Sequence, residues 1–125
     1  MTETIATPLT ERLGCRYPII SAGMGGPARS ELAAAVSAIG GFGLLGMVRE
    51  SAKLIEQEIA AVRRRTNRPF GVNLIPAATD PRLLEEELAA CFHAGVSAMC
   101  FFWSVDARVV ARAKQVLHQL EEGEV

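Results

Sequence analysis

Four short apolar runs, Pro18–Ala22, Phe42–Met47, Phe70–Ile75 and Ala98–Trp103, are each followed by a segment of helical periodicity. The unit repeats every roughly 25 to 30 residues. Runs that are apolar on both faces read as strands of a parallel sheet, covered by helices on one side and by a core on the other. Repeated strand-helix units with right-handed crossovers leave two architectures, an open doubly wound sheet or a (β/α)8 barrel. A complete barrel takes about 200 residues or more, whereas this chain has 125. On the barrel reading it is the N-terminal half of a TIM barrel, a single partial domain spanning 1–125. Residues 1–17 form a lead-in with Leu9, Leu13 and Tyr17 against the sheet, and 18–125 form four parallel strand-helix units.

The helices carry their own signals. Ser30 reads as an N-cap with Glu31 in the first turn, and Leu32, Ala35, Val36 and Ile39 share one face before Gly40 and Gly41 stop the helix. Ser51 caps a second helix reaching about Arg65, with Leu54, Ile55, Ile59 and Val62 as its buried stripe. Arg63, Arg64 and Arg65 suit the negative end of that helix dipole better than an anion site. Asp80 and Pro81 start a third helix, whose face is Leu83, Leu84, Leu88, Cys91 and Phe92 and which ends at Gly95. Asp106 is the N-cap expected for a last helix. There Val109, Val110, Ala113, Val116, Leu117 and Leu120 keep helical spacing as far as Glu121.

Composition narrows the function. Thirteen basic against fourteen acidic residues leave a net charge of −1, so the chain shows no polyanion footprint and nucleic acid is not expected as a partner. Residues 1–8 lack an apolar signal core, and no run approaches the roughly 18 apolar residues of a membrane span. Cys15, Cys91 and Cys100 lack the short spacings of metal sites, which points to a reducing cytoplasm and to no metal centre.

Gly41-Phe-Gly-Leu-Leu-Gly46 has the letters of the dinucleotide fingerprint, but its glycines follow a helix and run into a strand, the reverse of what that motif needs. Ser21-Ala-Gly-Met-Gly-Gly26 has the right context, where the first strand ends and a helix begins. Ala22, Gly23 and Gly25 let backbone approach a flat ring closely, and Met24 offers a polarizable surface. Asn73 is a carboxamide in an apolar strand, so it must find either backbone or a ligand's polar edge. Trp103 and Ser104 end the fourth run on the face that carries chemistry in barrels, although Phe101, Phe102 and Trp103 also suit a core. His93 sits at a helix end. His118 is exposed if the last helix is continuous.

Tyr17-Pro-Ile-Ile-Ser-Ala-Gly-Met-Gly-Gly26, Glu31-Leu-Ala-Ala-Ala-Val-Ser37, Gly40-Gly-Phe-Gly43 and Arg68-Pro-Phe-Gly-Val-Asn-Leu74 together resemble the FMN-dependent nitronate monooxygenases, once called 2-nitropropane dioxygenases. Flavin-dependent enoyl-acyl-carrier-protein reductases are close relatives of that family. The resemblance runs from about residue 9 to 114. It implies FMN as cofactor, a small-molecule substrate, backbone contact to the flavin from Ala22, Gly23, Met24 and Gly25, and a bond from Asn73 to the pyrimidine edge. Ser21 and Gly23 stand where many members have glutamine and proline. The family's catalytic histidine and FMN-phosphate loops belong to later strands and fall beyond residue 125, so the chain alone is expected to be inactive. Val116–Gln119 looks like the start of the family's fifth strand, against the helical period. The shortened join at Lys114-Gln115 favours helix. A half-barrel with open strand edges also suits a module that pairs with a second copy or a complementary half-barrel.

Overall fold

The sheet has three parallel strands in the order β1 (Gly43–Gly46), β2 (Phe70–Leu74) and β3 (Met99–Phe101). The computed structural model describes residues 3–104 and 106–122, apart from the side chains of 120–122. Leu45 stands beside Val72 and Val72 beside Met99, which fixes one face of the sheet. Helices α2 (Ser30–Ala38), α3 (Ala52–Arg65) and α4 (Pro81–His93) alternate with the strands, α5 (Ala107–Glu122) follows β3, and α1 (Pro8–Leu13) lies in the lead-in. Leu45, Met47, Val72 and Leu74 point to the helix layer and meet Ile55, Ile59, Val62, Leu88 and Cys91 in one core. Each fully buried aliphatic side chain there contributes about 1.5–3 kcal/mol.

Local chemistry explains the boundaries. Thr7 and Thr10 cap α1 reciprocally, and Gly14, at φ 70°, closes it. The Ser51 and Asp80 side chains accept N–H groups at the starts of α3 and α4, and Asp106 accepts the Arg108 N–H at 2.8 Å at the start of α5. Arg63 spends its guanidinium on the Ala94 and Gly95 carbonyls at 2.6 and 3.1 Å, and Arg65 pairs with Glu31. Both are structural uses of the arginine run.

Three sequence expectations need correction. Pro18–Ala22 is not a strand: it contributes one isolated parallel bridge, Ile20 to Phe42. Pro18 has no donor, and the Ser21 hydroxyl takes the Leu44 N–H at 3.0 Å, so no further backbone rung forms. The fourth run pairs only over Met99–Phe101, because the chain turns at Trp103 and Ser104 with φ 54° and 26°. In α2, Arg29 rather than Ser30 is the N-cap. Its buried residues are Ser30, Ala33, Ala34 and Ser37, while Leu32, Ala35 and Ile39 are exposed and Val36 is half-buried. The small residues face β1 because α2 lies almost on its backbone: a Cβ on Gly43 would overlap the Ala33 main chain.

Val116–Gln119 is helical, as the spacing favours, within a continuous α5. Ala113 is buried, and Val109 and Leu117 pack on the core. Leu120, counted on the same face, lies outside the described side chains. Among the described residues, no helix is long and apolar enough to cross a membrane.

Candidate functional site

The bend after Ser21 is tied across the tips of two adjacent strands. Asn73 donates from Nδ2 to the Gly23 carbonyl at 3.2 Å, bridging 50 residues of sequence. Met24 C=O accepts the Ala28 N–H at 3.0 Å, and Ala28 C=O accepts the Gly46 N–H at 2.9 Å. Gly46 and Asn73 are register partners on β1 and β2, so both anchors sit at one level of the sheet. Close approach explains two glycines: a Cβ on Gly23 would overlap Asn73, and one on Gly46 would overlap the Met24 carbonyl.

What remains is an open surface of small residues. Ala22, Met24 and Gly25 are exposed and Gly23 is half-buried. Among the described residues, the N–H groups of Ala22, Gly23, Met24, Gly25 and Gly26 donate no hydrogen bond. Asn73 is only 6% exposed. Its donor end must face the Gly23 carbonyl, since two carbonyl oxygens would repel, and among the described residues no donor reaches its Oδ1.

The other candidates fall elsewhere. Cys100 is the register partner of Asn73 on β3. Burial pushes its thiol up, so it is protonated and a poor nucleophile. Phe101 packs on the core, whereas Phe102 and Trp103 are exposed with ring centroids 5.1 Å apart, and Ser104 is exposed beside them. The sequence placed Trp103 and Ser104 at this end of the strand but did not show their left-handed backbone. His93 is exposed at the end of α4. His118 lines a groove between α1, β3 and α5, away from the bend. Among the described residues, no group of three or more His, Cys, Asp or Glu is placed to hold a metal ion.

Glu87 was missed by sequence reasoning. It is fully buried on α4, its Oε1 accepts the Glu50 N–H at 3.2 Å, and its Oε2 has no partner. Burial, and secondarily the Glu50 carboxylate, push its pKa up to about 7. The signal lay in the Glu85-Glu86-Glu87 run: the third member falls on the apolar face between Leu84, Leu88 and Cys91.

A family model for nitronate monooxygenase matches residues 6–119. A probable nitronate monooxygenase of Staphylococcus haemolyticus is 50% identical over 66 residues, covering 53% of this chain and 18% of that protein. The structure of FabK from Thermotoga maritima superposes with a TM-score of 0.83 at 28% identity, covering 91% of this chain and 36% of that one. Nitroalkane oxidase from Streptomyces ansochromogenes gives a TM-score of 0.74 at 26% identity, covering 89% and 40%. Both neighbours are TIM barrels, and this chain is a partial α/β unit of that fold, spanning well under half of their length.

Proposed function

The chain belongs to the nitronate monooxygenase family, and from that premise we propose that the bend at 22–26 and Asn73 hold the ring of FMN in an oxidoreductase that oxidises alkyl nitronates with dioxygen. The observation that carries this reading is the run of five N–H groups without internal partners beside the free Oδ1 of Asn73. A flavin's pyrimidine edge offers both acceptors and an N–H donor, which suits this donor-rich main chain and its single side-chain acceptor. When bound, the flavin would supply the two-electron redox chemistry.

The chain's own residues position and shield. Ala22 and Gly25 keep the approach clear of side chains, and Met24 offers a soft apolar surface. Asn73, fixed by the Gly23 carbonyl, holds its acceptor at one angle and so discriminates ring orientation. Neither His93 nor His118 adjoins the bend, so proton abstraction from substrate falls to residues beyond this chain, and the 125 residues alone have little or no turnover. Three unpaired cysteines fit a reducing compartment.

Flavin-fluorescence titration of the purified chain tests the site. Quenching that saturates with FMN, and is weakened by Asn73→Ala, is the expected result. Identical curves for both proteins would overturn the assignment, and dioxygen uptake with propane-2-nitronate would overturn the inactivity. A second reading, an assembly module that pairs with a second copy or a complementary half-barrel, is favoured by the exposed Ile19, Ile39, Phe102 and Trp103.

A further inference from the structure

The buried carboxyl of Glu87 reaches the bend through two intermediaries. Its Oε1 holds the Glu50 N–H in the loop that leaves β1, where Arg49 adopts φ 57°, a left-handed conformation that is costly for a residue with a side chain. The Glu50 carboxylate pairs with Arg29 at 2.7 Å. Arg29 caps α2 and directly follows Ala28, whose carbonyl anchors Gly46. The connection meets the bend where the Ala28 N–H donates to the Met24 carbonyl.

We propose that Glu87 is a positioning residue, a buried latch that fixes the Arg49–Glu50 turn and, through Glu50 and Arg29, sets the bend at 22–26. Its coupling to flavin affinity rests on the function proposed above; the latch itself does not. The Arg49 and Glu50 N–H groups and the Glu50 carboxylate face Glu87 from the loop, with Arg29 beyond Glu50, and Cys91 lies one turn along α4. The Cys91 thiol is pushed up to about 12 by burial and then by Glu87, so it stays neutral and leaves Glu87 as the group that changes charge near neutrality. Burial favours the neutral acid. The N–H groups of Arg49 and Glu50 oppose this only in part. Ionisation strengthens the Glu50 N–H bond itself but makes burial of the carboxyl costly, so openings of the turn that bring Glu87 into water become easier as pH rises toward about 7.

The test follows backbone amide exchange of Arg49 and Glu50 in the full chain between about pH 6 and about pH 8, corrected for intrinsic base catalysis. Protection should fall up to the Glu87 carboxyl midpoint read by carbon NMR and level off above it, a comparison that needs no variant. In Glu87→Gln, protection should be independent of pH. FMN affinity of the wild-type chain should be several-fold weaker at the higher pH, and that of the variant unchanged. A carboxyl midpoint in the ordinary glutamate range, or identical exchange profiles in both proteins, would overturn the latch. The expected exchange behaviour with no FMN binding at either pH would support the latch and reject the flavin reading. FMN binding that ignores pH while the exchange responds would overturn the coupling.

Discussion

Gly23 shows how one missing side chain decides the site. Its alanine variant would drive a Cβ into Asn73, and overpacking of this kind costs about 1–3 kcal/mol. Gly25→Ala meets only the Val48 side chain at 3.7 Å, ordinary contact, and should leave stability unchanged. Urea melts of the two variants beside the wild type separate them, and equal midpoints would show that the bend does not rest on Asn73. Glu87 makes a second residue-scale prediction. Its folded value of about 7 stands above the ordinary 4.5, so the folded chain holds the proton more tightly than the unfolded one. The contribution of this group to stability is then fully present below about 4.5 and is lost as pH rises to about 7, by on the order of 3 kcal/mol. Glu87→Gln should flatten that part of the curve in melts taken at intervals from about pH 5 to about pH 8. Asn73 was legible as an anomaly because an amide in an apolar strand needs a partner. That the partner is Gly23 was not legible, because 50 residues separate them and only the folded sheet brings them together.

At the scale of elements, the caps of α3 and α4 and the α5 spacing were readable because capping and periodicity are local. The buried face of α2 was not. Counting large apolar residues selected Leu32 and Ile39, but where a helix lies almost on a strand's backbone only Ala33, Ala34 and Ser37 fit. Ser37 does more than fit. Its hydroxyl accepts the Gly43 N–H at 2.9 Å and donates to the Pro69 carbonyl at 2.8 Å, joining α2 to β1 and to the residue before β2. Ser37→Ala strands both groups in the interior and should cost about 1–3 kcal/mol, whereas Ile39→Lys, at a position 75% exposed, should cost almost nothing. Denaturant midpoints decide, and the reverse order would restore the face read from the sequence. The 18–22 run misled for a related reason. Its apolar letters match a strand, yet a proline without a donor and a serine that captures the next rung are side-chain events that hydrophobicity does not register.

For the whole molecule, an arc of strands has two open edges, and exposed apolar side chains stand at both. Ile19 lies beside the Ile20 bridge at one end, and Phe102 and Trp103 just past β3 at the other, with Val110 of α5 near β3. Unpaired strand edges beside apolar side chains invite pairing. The isolated chain should therefore self-associate at micromolar concentration, and the association should change little with salt because it is apolar rather than ionic. Sedimentation velocity across a concentration series checks this, with a single monomeric species throughout as the contrary result. Trp103, the chain's one tryptophan, gives an independent reading at the edge itself. At 61% exposure it should emit as a solvated indole in dilute solution and shift to the blue as the edges meet. Ile19→Glu, beside the Ile20 bridge on the other edge, should delay that shift to higher concentration if the two edges pair with each other. If each edge pairs only with its own kind, the variant should leave the shift where it was.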